Sequence, residues 1–308
     1  MALSLKNYKN IAGEELIEKI YEEAEPLTNK HVEHVNSTYY GGGVAEILNS
    51  LALLMNDVGI KTGWRLLKGH PDFFNITKKF HNALQSADIA LSENKKRVYL
   101  ETNETNSILM HISFADCIII HDPQPLSLIN FYEKKQPWVW RCHIDLSNPN
   151  QVLWSYLKQF IEKYDAVIVS TEQYKKQDLQ KPHHIIPPSI DPLTTKNKFI
   201  PDGVAKKYLS KFGVDLDKPI ISQVSRFDKW KDPLGVIKAF EIIKKEVDCK
   251  LVLLGSMAPD DPEGEEIYNE LLEKVKDNPN IIIINFSDDF LVNCLQRASD
   301  VVIQKSLR

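Results

Sequence analysis

Apolar residues follow two rhythms along this chain. Unbroken runs such as Cys117–Ile120 and Ile281–Ile284 have the length of single strands. Between such runs, apolar positions recur every three or four residues. Val44, Ile47, Leu48, Leu51 and Leu54 are one example, and that spacing predicts a helix. Read this way, the first part of the chain predicts strands over 31–36, 62–67, 116–121, 138–143, 166–170 and 184–186. Helices are predicted over 44–56, 73–85, 95–111, 126–134 and 152–163, and the charged segment 1–30 reads as helical. Alternation of this kind implies a parallel sheet covered by helices on both faces.

The prolines Pro187, Pro188 and Pro192 interrupt the pattern, and Pro201-Asp202-Gly203 restarts a helix. The boundary is expected near 187–200, giving domains 1–190 and 191–308. A second α/β pattern follows, with strands over 219–224, 250–254, 280–285 and 300–303 and helices over 236–246, 265–275 and 290–297. The chain stops directly after its last strand, so this second domain is expected to lack a closing helix and further strands.

Composition narrows the class. The chain has 308 residues, 43% apolar and 26% charged, with a net charge of −4. Nothing in that balance attracts nucleic acid or an anionic membrane. The amino terminus has no apolar core of the signal-peptide kind, and a cytoplasmic location is expected. Cys117, Cys142, Cys249 and Cys294 are scattered, which suits reduced core thiols.

Ligands of open α/β sheets bind at the carboxyl ends of strands, and five polar clusters are predicted there. The first is Gly41-Gly42-Gly43, between a strand and a helix, with Glu46 in the first helical turn. Glycine admits close ligand approach and a positive φ, and a helix start offers free N–H groups. A tight packing turn is the alternative, although one glycine would satisfy it. The second cluster is His121, Asp122 and Gln124. The third is Arg141, His143 and Asp145. Here His143 could equally bind a ligand hydroxyl or be structural, and Asp122 and Asp145 could cap strand ends.

The fourth cluster runs from Ser225 through Arg226 to Lys231. A forked guanidinium and a point ammonium could neutralise a departing diphosphate without a metal; two solvated surface cations are the plainer reading. The fifth runs from Gly255 through Met257 to Asp260 and Asp261. Its acidic residues read as a turn before a helix as readily as a metal site, and no metal is assigned. His31 and His34 lie on a strand, not on the helix a zinc protease motif needs.

The motifs taken together resemble a known family. They are Gly-Gly-Gly-Val-Ala-Glu46, Phe73-Phe-Asn-Ile-Thr-Lys78, His121-Asp-Pro-Gln-Pro125, Trp140-Arg-Cys-His-Ile-Asp145, Pro187-Pro-Ser-Ile-Asp-Pro192, Ser225-Arg-Phe-Asp228 and Gln296-Arg-Ala-Ser-Asp300. The set is similar to glycosyltransferring trehalose synthases, which are retaining GT-B glycosyltransferases; fungal-type trehalose phosphorylases share several of the motifs. The resemblance implies two Rossmann-like domains facing across a cleft and the synthesis of trehalose from a nucleoside-diphosphate glucose and glucose. By the same resemblance, Arg226, Lys231 and His143 are the catalytic group. Gly41, Gly42, Gly43, Glu46, Asp122, Gln124, Arg141, Asp145, Ser225, Gly255 and Met257 are the donor- or acceptor-binding group. No cofactor is implied, and a homodimer is left open.

The family continues past this point into a Glu-Gly-Phe-Gly stretch that binds donor sugar and ribose. The chain ends one residue before it, so weak or absent turnover is expected of residues 1–308 alone. A trehalose phosphorylase, or a non-catalytic remnant that still binds carbohydrate, are the two alternative functions.

Overall fold

The computed structural model describes residues 3–40, 42–255, 263–286 and 288–307. Gly41, Met257, Asp260 and Asp261, named above as candidates, lie outside the described residues. The chain divides into two compact units, Met1–Ser189 and Ile190–Arg308, and each is taken separately.

The first unit opens with a 3-10 turn, the single-turn helix α1 (Lys9–Ala12) and α2 (Glu14–Ala24). The expected continuous helix is broken at Gly13, whose φ of 85° is left-handed. Leu5, Tyr8 and Ile17 pack as a small cluster against Leu54 and Val58. Six strands follow: β1 (His31–Asn36), β2 (Lys61–Leu66), β3 (Cys117–His121), β4 (Trp138–Arg141), β5 (Ala166–Val169) and β6 (His183–Ile185). They form one sheet in the order β2-β1-β3-β4-β5-β6, and every pair is parallel. The intervening helices are α3 (Gly43–Asp57), α4 (Pro71–Leu84), α5 (Glu93–Met110) and α6 (Gln151–Ile161).

Aromatic side chains fill the core of this unit. Trp138, Trp140, Tyr99, Tyr164, Phe73, Phe80 and Phe160 are all buried in one cluster with the aliphatic strand residues. Two expectations fail locally. The segment predicted as a helix over 126–134 is a 3-10 stretch, Leu126–Phe131, in which Leu126, Ser127, Leu128 and Ile129 are all buried. Four buried residues in succession, with Asn130 the exposed one of the stretch, leave no polar face of helical width. The fourth strand also stops at Arg141, because the His143 N–H turns aside to the Asp122 carboxylate at 2.7 Å.

In the second unit, β7 (Ile220–Val224), β8 (Lys250–Gly255), β9 (Ile281–Asn285) and β10 (Val301–Val302) form a four-stranded parallel sheet in the order β10-β7-β8-β9. Its helices are α7 (Asp202–Leu209), α8 (Pro233–Ile243), α9 (Glu263–Val275) and α10 (Asp289–Ala298). Two separate buried clusters line its two faces. One is built on Ile220, Val252, Leu254 and Leu291, the other on Ile221, Leu251, Leu253 and Phe240. Neighbouring residues of one strand thus bury on opposite sides, as a doubly covered sheet requires. Val301 and Val302 on the edge strand are exposed.

Candidate functional site

In the first unit the strand order reverses between β1 and β3. A reversal opens a crevice at the carboxyl ends of the strands on either side. Three histidines meet there. His34 Nδ1 lies 3.0 Å from His121 Nε2, and His121 Nδ1 lies 2.9 Å from His143 Nε2. The rings of His121 and His143 are stacked at 5.2 Å between centroids. His34 and His121 are buried, whereas His143 is half-buried.

Burial, then the positive charge of Arg141, depresses His34 to a pKa of about 4 and His143 to about 3. His121 is held well below its ordinary value by burial first, then by competition with His34 and His143 for a proton and by Arg141. All three are therefore neutral at pH 7.

The surrounding polar groups hold this crevice in shape. Asp122 has a left-handed backbone, φ 61°. Its carboxylate accepts from His143 N, and its carbonyl accepts from Trp140 Nε1 at 3.0 Å. It ties the end of β3 to the end of β4 and sets where His143 sits. Tyr99 Oη donates to the Pro123 carbonyl at 2.7 Å, and Asn103 Nδ2 donates to the Gln124 carbonyl at 3.1 Å. The loop carrying Gln124 is thus anchored on α5. The Asp145 carboxylate accepts from Ser147 N at 2.7 Å, a local turn cap. Arg141 is buried and donates to the Ile186 carbonyl at 3.3 Å.

On the other side of the crevice, Trp64 Nε1 donates to Asn36 Oδ1 at 2.7 Å, and Tyr39 stacks on Trp64 at 4.6 Å. These contacts order the approach to the glycines. Gly42 is the N-cap of α3 with φ 135°, and no side chain among the described residues caps that helix. Gly43 is the first helical residue. A Cβ at either position would meet nothing within 4 Å among the described residues. Backbone conformation accounts for Gly42, but neither conformation nor packing inside this unit accounts for Gly43. Glu46 is exposed on the first turn of α3.

In the second unit the strand order reverses between β7 and β10. Ser225 and Arg226 leave the end of β7, and Lys231 closes a 3-10 turn, Lys229–Lys231. That turn is held from both sides. The Asp228 carboxylate accepts from Trp230 N at 2.8 Å, and the buried Gln223 amide donates to the Lys231 carbonyl at 2.7 Å. Arg226 Nη2 stands 3.9 Å from Asp228 Oδ2, and the Arg226 side chain keeps 29% of its exposure. Gly255 ends β8 against this turn: a Cβ there would stand 2.5 Å from the Ser225 carbonyl oxygen and 2.9 Å from Phe227 Cζ. Packing, rather than ligand approach, is what requires glycine at that position.

Sequence reasoning named His143, and placed His121 in a polar cluster, but did not connect them to His34. The signal lay in topology, since His34 is a mid-strand residue 87 positions before its partner. Trp64 was missed as well, because an indole on an edge strand has no local mark of function.

Comparison with known proteins follows the same division. Residues 34–176 match the family described as trehalose synthase, N-terminal domain, and residues 205–308 match glycosyl transferases group 1. A trehalose synthase of Thermococcus litoralis is 47% identical over 310 residues, covering 99% of this chain and 75% of that protein. A trehalose synthase of Rubrobacter xylanophilus is 40% identical over 315 residues, covering 99% of this chain and 76% of that one. Among solved structures, the apo form of OtsA aligns with a TM-score of 0.67 at 14% identity, over 91% of this chain and 79% of its own. At that identity the likeness concerns the fold, which is that of the GT-B glycosyltransferases.

Proposed function

This chain belongs to the trehalose synthase family of glycosyltransferases, and from that premise we propose that it forms trehalose from a nucleoside-diphosphate glucose and glucose, with the anomeric configuration retained. The observation that carries the reading is the turn after β7. It holds two cations, Arg226 and Lys231, five residues apart on a backbone pinned by Asp228 and Gln223. Cleavage of the bond between the anomeric carbon and the diphosphate leaves an electron pair, and hence charge, on the leaving oxygen. Preorganised cations stabilise that charge with little reorganisation. The guanidinium can take two oxygens at once and the ammonium a third.

The first unit would bind sugar. Its crevice offers uncharged imidazole, the Gln124 side chain and the uncapped start of α3. Groups of this kind suit neutral hydroxyls. The open space about Gly43 supports close approach of a ligand to that helix start.

The test is direct. Purified chain, joined to the part of the Thermococcus litoralis relative that it does not cover, is incubated with each common nucleoside-diphosphate glucose and with glucose. Nucleoside-diphosphate release is coupled to an enzymatic readout, and the product's anomeric protons are observed by NMR. Trehalose formed in step with diphosphate release is the expected result. Trehalose consumed only when inorganic phosphate is added would replace the reading with a phosphorylase. Sugar binding by calorimetry with no turnover under either condition would leave a carbohydrate-binding protein and overturn the synthase reading.

A further inference from the structure

The histidine chain in the first unit has a property that its geometry alone determines. Each neutral imidazole carries one N–H donor and one bare acceptor nitrogen. His121 uses both nitrogens, one toward His34 and one toward His143. A neutral chain bonded at both links therefore has two arrangements only. In one, His34 Nδ1–H donates to His121 Nε2, His121 Nδ1–H donates to His143 Nε2, and the third proton lies on His143 Nδ1. In the other, every proton lies on Nε2, and the third is on His34 Nε2.

The two arrangements are not equivalent, because the ends of the chain differ. His34 Nε2 is buried with no hydrogen-bond partner among the described residues, while His143 is the member of the chain that remains partly exposed. A buried N–H without an acceptor is rarer and costlier than a bare lone pair in the same place. We propose that His34 and His121 act as positioning residues that lock the chain in the all-Nδ1–H arrangement, so that His143 presents an uncharged N–H donor for an acceptor oxygen of a bound hexose. The bond at one ring nitrogen fixes the proton on the other, and two links carry that choice from β1 through β3 to the loop after β4. The hexose contact rests on the sugar-binding reading given above; the proton arrangement does not.

The depressed basicity of the three rings is consistent with a chain that stays neutral. The charged groups about it are Arg141, whose positive charge opposes protonation of every member, and Asp122, whose carboxylate is engaged by the His143 backbone.

The experiment uses the full chain labelled with 15N at histidine. Two-bond proton–nitrogen correlation spectra at pH 7.5 distinguish Nδ1–H from Nε2–H tautomers. The protein's nine histidines leave six outside the chain as internal references. Three Nδ1–H histidines, assigned in the unmodified protein through Overhauser contacts among their neighbouring rings, are expected. Nε2–H signals at all three, or two averaging tautomers, would overturn the proposal, and the unmodified protein decides this without any variant having to fold.

His34→Leu removes the donor at the head of the chain and should release His121 and His143 toward mixed tautomers. Affinity for glucose or its nucleoside-diphosphate derivative should fall about threefold to tenfold, the range of one hydrogen bond. His34→Asn, whose amide can place a donor where Nδ1 stands, should restore both. Locked tautomers in the parent that relax in His34→Leu, with unchanged sugar affinity, would uphold the positioning role and reject the hexose contact instead.

Discussion

Acid should weaken the first unit steeply, through the three histidines. In the unfolded chain each titrates near 6.5, whereas in the folded unit His34 falls to about 4, His143 to about 3, and His121 lies well below its ordinary value. Between pH 6.5 and about 4 the unfolded state therefore binds more protons than the folded one. Stability rises with pH across that window and is lost as pH falls through it. One pKa unit corresponds to about 1.4 kcal/mol. At pH 5, about 1.5 units below the unfolded pKa, His34 and His143 each cost about 2 kcal/mol, about 4 kcal/mol together, and His121 adds in the same direction. That is a large part of the whole stability of many domains, about 5–15 kcal/mol. Carboxylates change little above pH 5, so the window belongs to histidine.

Urea unfolding between pH 8 and pH 5, followed by tryptophan fluorescence, measures this effect. A Trp230→Phe background silences the second unit and leaves Trp64, Trp138, Trp140 and Trp154 to report on the first. The slope of unfolding free energy against pH near 5.5 should approach two protons from His34 and His143, with His121 adding to it, and a His121→Leu variant should flatten it. A slope below one proton in the parent would show that the chain is charged or solvated in the folded state, and would refute the reasoning.

The remaining predictions concern the candidate site. Arg226→Ala and Lys231→Ala should each lower kcat for glucosyl transfer by about 100- to 1000-fold, with unchanged unfolding midpoints; normal turnover in both would remove the diphosphate assignment. Gly42→Val places a β-branched residue at φ 135°, at a cost of about 1–3 kcal/mol in melting experiments. Its Cβ meets open space in the protein, so impaired sugar binding beyond that cost would reveal a ligand close to the loop, and unimpaired binding would reveal none. Gly255→Ala drives a methyl to within 2.5 Å of the Ser225 carbonyl. The turn bearing Arg226 should shift, and kcat should fall while the first unit's unfolding stays unchanged; wild-type kcat would mean that the turn adjusts freely.

The sequence by itself was enough for the α/β class and for most elements to within one or two residues. Burial on both faces makes parallel strands into short apolar runs, and helices between them keep a 3.6-residue rhythm, so both signals are local. The stretch Leu126–Phe131 was expected to be part of a helix, and burial of four successive residues made it a 3-10 stretch instead. Gly255 read as a possible ligand contact because a glycine's neighbours in space are not its neighbours in sequence. Only the folded turn beside β7 shows that Ser225 and Phe227 crowd it. Asp122 was legible as a strand-end cap, yet what it caps is the His143 N–H, on another strand's loop.

The histidine chain is the clearest division. His34, His121 and His143 each stand in the sequence as ordinary strand or strand-end residues. Only the pairing of β1 with β3 and of β3 with β4 brings their rings to hydrogen-bond distance. Burial then decides that they are neutral, and the partnerless end at His34 decides which way their protons point. Hydrogen-bond direction is a property of a closed network in a dry interior, and such a network exists only once the chain has folded.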